Sequence, residues 1–390
     1  MSGPRTQAGG VSRRAAALPV QAIREVMELA WARPGSIHLE VGEPDFPTPP
    51  NVVEAAHRAA REGFTRYTPN AGLPQLREAL ALKLERVNGY VADPGEIVVS
   101  AGGVEAIHAT LTALTDPGDE ILLPDPCWPD FAQMASLLGT PARYYHQTAA
   151  TGYLPAVEEL SELVDERTRV LVVNSPSNPL GVVVPPERLA ELVAFAERHD
   201  LWLLSDECYD EIAFDAPATS TMAVAPSPRV ISIYSFSKVY AMTGWRVGYA
   251  VAPAEVAAVL TRLQEPLISC VNGPAQMAAV EAVDGPQEVV AEMRAAYRER
   301  RDRALDALAA GGLPAVRPAG AFYIWVDVSA AGRPSDAFVR ELIAERGVAV
   351  APGTAFGAAG EGFVRLSLAA HLDDLLEGSQ RLIDHVAAAG

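Results

Sequence analysis

The stretch Ser235-Phe236-Ser237-Lys238, followed by Tyr240-Ala241-Met242-Thr243-Gly244-Trp245-Arg246-Val247-Gly248-Tyr249, decides how the rest of the chain is read. An apolar, β-rich run, Arg229-Val230-Ile231-Ser232-Ile233-Tyr234, leads into it. Lys238 therefore falls just past a strand end, flanked by two hydroxyls, with an arginine eight residues on. Desolvation and neighbouring cations lower the pKa of a lysine amine, and such an amine can attack a carbonyl to form a Schiff base. Two serines and an arginine supply neutral donors and a planar cation, which suits a phosphate dianion. The combination points to a lysine condensed with a phosphate-bearing aldehyde, the chemistry of pyridoxal 5'-phosphate. Standing alone, S-x-S-K would read as a surface lysine in a Ser-rich turn. The distant partners described below make the difference.

Composition bounds the answer. The 390 residues are long enough for a large α/β unit with a smaller one attached. With 49% hydrophobic and 21% charged residues the chain can bury a sizeable core. A formal charge of −18 argues against a nucleic-acid surface, which needs a basic stripe. Cys127, Cys208 and Cys270 are far apart and lack CxxC spacing, so neither a disulfide framework nor a zinc site is implied. No metal is expected, and a cytoplasmic, reducing location fits. No signal-peptide core stands at the N-terminus, and no run approaches the ~20 apolar residues of a membrane span.

From Glu96 to Tyr234 the pattern alternates. Strands are expected over Glu96–Ser100, Glu120–Leu123, Thr168–Val173, Leu201–Leu204 and Val230–Tyr234, with helices between them such as Glu105–Thr115 and Pro186–His199. Mostly apolar strands separated by helices predict a mainly parallel sheet with helices on both faces, and ligands outside its carboxyl end. Gly102-Gly103, between a strand and a helix, suits a phosphate at the helix N-terminus, although no GxGxxG is present. Upstream, Met1 to about Arg14 is expected to fray, Val20–Ala32 to form a helix, Asn51–Glu62 a helix capped by its asparagine, and Leu73 to about Arg86 another. Beyond about Arg262 the texture changes. A long charged helix is expected over Glu288–Ala310, strands over Ala321–Asp327, Val348–Val350 and Phe363–Leu368, and helices over Asp336–Arg346 and Leu372–His385. The organisation expected is a large cofactor-binding domain over 41–285 and a smaller α/β domain over 286–390, joined by the segment 1–40.

Polar residues cluster at the strand ends. Val170–Val173 runs into Asn174-Ser175-Pro176-Ser177-Asn178-Pro179-Leu180-Gly181, and Leu201–Leu204 into Ser205-Asp206-Glu207-Cys208-Tyr209. In the last strand, alternation sets Phe363, Arg365 and Ser367 on one face. Together with V-G-E-P-D-F, Y-T-P-N-A-G, S-A-G-G, P-C-W-P-D-F, M-T-G-W-R-V-G-Y and R-L-S-L-A, in this order, these motifs resemble the fold type I pyridoxal-phosphate enzymes. Within them, the resemblance is to the class I/II aminotransferases of aspartate-aminotransferase type, and it runs from about Val41 to Ala369.

The resemblance implies roles residue by residue. Lys238 would hold the cofactor and then act as the general base. Asp206 would face the pyridine nitrogen. Tyr209 and Asn178 would hydrogen-bond the ring's phenolic oxygen, and Trp128 would stack on the ring. Ser235, Ser237, Arg246 and the N–H groups near Gly103 and Val104 would bind the phosphate. Tyr67 would reach the phosphate of a neighbouring subunit, implying a homodimer with shared sites. Arg365, with Asn178 and the backbone at Gly42, would bind the substrate α-carboxylate, and the stretch Leu18-Pro19-Val20 would close over it. Two departures stand out. Leu180 replaces the small hydroxyl residue usual after Asn-Pro, with a small effect expected on loop packing. Val104 replaces a lysine that some bacterial relatives use for a distal carboxylate, which favours a neutral or aromatic side chain unless another arginine substitutes. The expected activity is transfer of an amino group from an L-amino acid to a 2-oxo acid by a ping-pong mechanism. A lyase, cyclase, decarboxylase or oxidase on the same site, or a non-catalytic cofactor-binding regulator, are the alternatives at this stage.

Overall fold

The computed structural model describes residues 11–389. Its centre is a seven-stranded sheet. In spatial order the strands are Ile97–Ser100, Gly248–Val251, Val230–Ser235, Trp202–Asp206, Thr168–Asn174, Glu120–Asp125 and Ala142–His146. All neighbours are parallel except at Gly248–Val251, which runs against both of its partners. The apolar runs are explained by two-sided burial. Val170 and Val172 pack with Ile107, Phe131 and Leu260 on one face. Leu171 and Val173, one residue out of phase, pack with Leu160, Leu192 and Phe195 on the other. Helices Gly103–Leu114, Pro129–Leu138 and Ala254–Ile268 supply the first layer, and Val157–Leu163 and Pro186–Arg198 the second.

A second, antiparallel sheet has the order Ala351–Pro352, Phe363–Ser367, Tyr323–Asp327, Ala315–Val316. It belongs to a smaller α/β unit with the helices Glu288–Ala310, Ser335–Arg346 and Leu372–Ala389. The N-terminal segment joins this unit, because Ile37–His38 pairs in parallel with Val348–Ala349. The helix Ala22–Trp31 buries Val26 and Ala30 and packs against Ser335–Arg346.

Several local expectations are corrected. Asn51 is not a cap. The helix begins at Pro50, a residue suited to the first turn, with Pro49 before it, and Asn51 Nδ2 instead donates to Glu281 Oε1 at 2.9 Å. The helix expected to reach Arg86 is α-helical only over Pro74–Lys83 and continues as a π-turn over Leu84–Asn88. That turn carries Asn88 round to buried Lys83, whose Nζ donates to Asn88 Oδ1 at 2.9 Å and also pairs with Asp210. Of the stretch expected to fray, residues 1–10 lie outside the described residues. Arg13–Ala16 forms one helical turn capped by Ser12, and Arg14 donates to the carbonyls of Leu137 and Leu138.

Leu180 contributes more than loop packing. It is fully buried in a cluster with Trp325, Ala351 and Phe356, so it links the turn after Thr168–Asn174 to the smaller sheet. Leu180→Ala leaves a cavity between the two units and should cost about 2–5 kcal/mol. The expected readout is a lowered melting temperature in a thermal unfolding scan, and an unchanged one would show that the two units do not depend on this contact.

Candidate active site

Three adjacent parallel strands end in polar residues: Asn174, Asp206 and Ser235. Register sets Asn174 beside Asp206, and Asp206 beside Ile233. The chain then turns at each end to frame one cavity of about 310 Å³ at the carboxyl edge of the sheet. Ser235 caps the single-turn helix Phe236–Val239, its Oγ accepting from Ser237 N at 3.2 Å, and so aims Lys238 back over the sheet. Lys238 Nζ donates to Gly42 O at 2.5 Å. No carboxylate forms an ion pair with it among the described residues. Burial is the main reason its pKa falls to about 8, with the Arg365 and Arg246 charges adding to the effect.

Asp206 is buried at the strand end. Its Oδ1 accepts from Cys208 N at 3.2 Å, and its backbone oxygen accepts from Ser175 N and Asn174 Nδ2. Burial raises its carboxyl pKa to about 6. Asn174 Oδ1 in turn receives Asn178 N at 2.7 Å, which fixes the Asn-Pro turn. Asn178 Oδ1 accepts from Arg365 Nη1 at 2.8 Å, and Arg365 Nη2 donates to Glu40 O at 2.5 Å. Arg365 lies in the smaller sheet, its guanidinium 4.1 Å from the centroid of Tyr323 and 4.8 Å from that of Phe356. Its Nε is buried without a partner.

At the other end, Arg246 adopts a left-handed backbone (φ 55°) rarely found outside glycine. Its Nη1 donates to Thr243 O at 2.7 Å and Ser237 Oγ at 3.4 Å, and its Nη2 to Ala101 O at 3.2 Å. The turn at Gly102-Gly103 must stay free of side chains: a Cβ on Gly102 would press into the Arg246 guanidinium, and one on Gly103 would meet Cys208 Sγ at 2.9 Å.

Every site residue named from the sequence faces this cavity except Tyr67. Gly103, Val104, Ser235, Ser237 and Arg246 form one end. Lys238, Asp206 and Tyr209 form the middle, with Trp128 set edge-on to Phe131 at 5.3 Å between ring centroids. Asn178, Arg365 and Gly42 form the far end. Tyr67 is 89% exposed and lies elsewhere. The stretch Leu18–Val20 stays outside the cavity as well. Its outer wall is instead the helix that follows, through Ile23, Arg24 and Met27, together with Gln21.

Sequence reasoning missed Tyr323, Asn174 and Cys208. Tyr323 Oη hydrogen-bonds Tyr209 Oη at 2.9 Å, and its hydroxyl fills the space where a Cβ at position 42 would stand. Its place in an apolar strand gave no signal, since an inward tyrosine there reads as packing. Asn174 stands at its strand end in the sequence, and only the fold reveals that it holds both Asp206 and Asn178.

The arrangement fits pyridoxal phosphate on its own terms. It combines a buried amine of lowered pKa, a buried acid with one protein donor, a side-chain-free helix N-terminus beside an arginine, and an unpartnered guanidinium nitrogen. Comparison with known proteins agrees. The family model described as "Aminotransferase class I and II" matches residues 34–382. The aspartate/prephenate aminotransferase of Thermus thermophilus is 39% identical over 379 residues, covering 95% of this chain and 97% of that protein. Aromatic-amino-acid aminotransferase 2 of Thermococcus litoralis is 37% identical, covering 92% and 94%. A solved single mutant of Thermus thermophilus aspartate aminotransferase matches with TM-score 0.92 at 38% identity, covering 97% of this chain and 100% of that one. The chain belongs to the class I and II aminotransferases. It is a pyridoxal-phosphate-dependent transaminase of fold type I.

The lowered pKa of Lys238 is directly measurable. In protein stripped of cofactor, acylation of the Lys238 peptide, followed by mass spectrometry, should rise with a midpoint near pH 8, because the neutral amine is the reactive form. A solvated lysine titrates near 10.4, and a midpoint there would contradict the desolvation described.

Proposed function

We propose that the preferred amino donor is an L-amino acid with a neutral or aromatic side chain and that a 2-oxo acid such as 2-oxoglutarate or pyruvate is the acceptor, in two half-reactions at one site. The observation that carries this reading is Lys238, a buried primary amine sharing one cavity with Asp206, Arg246 and Arg365. Bound there, pyridoxal phosphate supplies an electron sink for charge developing at the substrate Cα. Lys238 would hold the cofactor and, once the donor has displaced it, would carry the proton from that Cα to the cofactor's C4′. An amine with a pKa of about 8 is well matched to this near neutrality.

Asp206 would hold a proton on the pyridine nitrogen. A desolvated carboxylate whose Oδ1 accepts the backbone N–H of Cys208 gains most from a facing cation. Arg246, Ser235, Ser237 and the N–H groups of Gly103 and Val104 would take the phosphate. Trp128 would cover one face of the ring, and Tyr209, oriented by Tyr323, would meet the phenolic oxygen together with Asn178. Arg365, with Asn178 and the backbone at Gly42, would bind the α-carboxylate in bidentate fashion, using donors already aligned between Asn178 and Glu40.

Val104 lines the cavity and is 41% exposed, and with Ile107 and Met27 it gives the side-chain end an apolar lining. That supports a neutral donor. We read exposed Tyr67 as serving the phosphate of a second copy in a homodimer, and the three free cysteines as consistent with the cytoplasm. The reading also divides the chain into a cofactor-binding domain over 41–285 and a smaller one over 286–390, with 1–40 serving the latter.

A single-turnover experiment tests the chemistry. Holoenzyme mixed with a neutral donor and no acceptor should release one equivalent of 2-oxo acid per site and no ammonia. Ammonia release or continued turnover would move the reading to a lyase. Lys238→Ala should slow the half-reaction at least about a thousandfold. Arg365→Gln should raise KM for every donor by roughly tenfold to a hundredfold through loss of a charge-assisted pair. Sedimentation should give a dimer, and Tyr67→Phe should weaken retention of cofactor on dialysis. A monomer with full activity would remove the role given to Tyr67.

A further inference from the structure

The chain carries 31 lysines and arginines, and only two of them are lysines. One is Lys238. The other, Lys83, lies outside the lining of the cofactor cavity and is 3% exposed. Arginine serves everywhere else, so lysine at this position has a physical reason. An ammonium is a compact charge with three donors, whereas a guanidinium is a planar fork suited to one carboxylate. Lys83 meets acceptors from several directions. Its Nζ pairs with Asp210, donates to Asn88 Oδ1 at 2.9 Å and lies 3.6 Å from Glu211 Oε1. Burial works against its charge, but the two carboxylates outweigh burial and the amine stays protonated.

Tyr209 lies in the turn that these partners hold. Asp210 N donates to Glu207 O at 3.0 Å, and Ile212 N to Tyr209 O at 2.8 Å. On one flank Glu207 is fixed by the hydroxyls of Ser205, Ser220 and Tyr234. On the other, Asp210 is fixed by Lys83 and by Asn88 Nδ2 at 2.9 Å. Tyr209 is thus held from both sides. Its hydroxyl lies 2.9 Å from that of Tyr323, and both residues line the cavity. Glu211 extends the cluster to the second turn of the site. It accepts from Tyr240 Oη at 3.2 Å, and Tyr240 ends the helix Phe236–Val239 that carries Lys238. A buried ion pair adds little net stability over apolar packing, but its directional bonds can fix register.

We propose that Lys83 is a positioning residue of the transamination, which holds Tyr209 in place for the cofactor's phenolic oxygen by way of Asp210. This rests on the role given to Tyr209 above. Lys83 itself touches neither cofactor nor substrate. Among the described residues Lys83 is the one cation paired with Asp210. Without it, the desolvated Asp210 carboxylate would take up a proton or draw its turn toward water. Tyr209, one residue away, would move with that turn, and a hydroxyl hydrogen bond is lost with about an ångström of displacement.

The test titrates holoenzyme with pH and follows the visible absorbance of the bound cofactor, which reads its protonation apart from turnover. A hydroxyl that donates to the phenolic oxygen favours the ionised ring. Tyr209→Phe should therefore raise the midpoint by about one unit, a tenfold gain in proton affinity. Lys83→Met should shift it in the same direction, and adding Lys83→Met to Tyr209→Phe should shift it no further. Asp210→Asn breaks the same pair from the other side with little change of shape, and it takes the place of Lys83→Met in this cycle if that variant does not fold. The chargeable groups facing Tyr209 are Tyr323, Arg365 and Cys208, and all three stay in place throughout. A midpoint unmoved by loss of the pair, or shifts that add in the combined variant, overturns the proposal. If Tyr209→Phe itself leaves the midpoint alone, the role given to Tyr209 fails instead, and hydrogen exchange then decides for Lys83. Faster exchange confined to residues 207–212 on loss of the pair sustains its hold on the turn, and unchanged exchange there overturns it.

Discussion

The structure depends on keeping three charged or chargeable groups, buried Asp206 and Arg365 and half-buried Lys238, around one cavity and only partly paired. Removing an ion from water costs several kcal/mol even after relaxation. A fold therefore tolerates such groups where other forces hold the backbone in place. Here the backbone carbonyl of Asp206 is held by Ser175 N and Asn174 Nδ2 from the neighbouring strand end, and Ser235 caps the turn that carries Lys238. The side chains are left with spare capacity. That unspent capacity is what a cofactor and substrate can complete.

The neighbouring residues show that this is specific to the site. Glu207 follows Asp206 directly and is equally buried, yet its carboxylate receives Ser205, Ser220 and Ser232 hydroxyls, Tyr234 Oη and Thr221 N. It is saturated and joins strands together. Lys83 and Lys238 form a second such contrast. Lys83 is buried against Asp210, Glu211 and Asn88, and those carboxylates push its pKa above the ordinary lysine value. Lys238 is buried against a carbonyl and near two arginines, and its pKa falls. Burial is common to both lysines, so the sign is decided by the partners. One lysine is a strut and the other a reagent.

Much of this was legible in the chain because the constraints are local. Two-sided burial makes strands such as Val170–Val173 uniformly apolar, and polar residues directly after them fall at the carboxyl edge by geometry. Lys238 and Asp206 could thus be placed at the strand ends, Arg365 followed from alternation within its strand, and the roles of these residues and of Arg246 followed from the resemblance carried by the ordered motifs. What escaped depends on contacts between distant segments. Tyr323 becomes a site residue only because the smaller sheet sets it against Tyr209 and Gly42. Leu180 reads as a loop residue until Trp325 and Phe356 cover it. The π-turn at Leu84–Asn88 answers to Asp210, over a hundred residues away, through Lys83.

These contacts also separate the parts of the site that hold from the parts that choose. The groups proposed for the phosphate stand at strand ends and turns: the Gly102-Gly103 turn, Ser235, and an Arg246 whose unusual backbone is set by its own turn. The opposite end is lined by side chains of the helices Ala22–Trp31 and Gly103–Leu114, which can change without moving a strand. Val104 lines the cavity, and its N–H is one of the groups proposed for the phosphate. Replacing the side chain at that position leaves the N–H where it was. Substrate choice can therefore drift in this fold while the strand ends that carry Lys238 and Asp206 stay fixed.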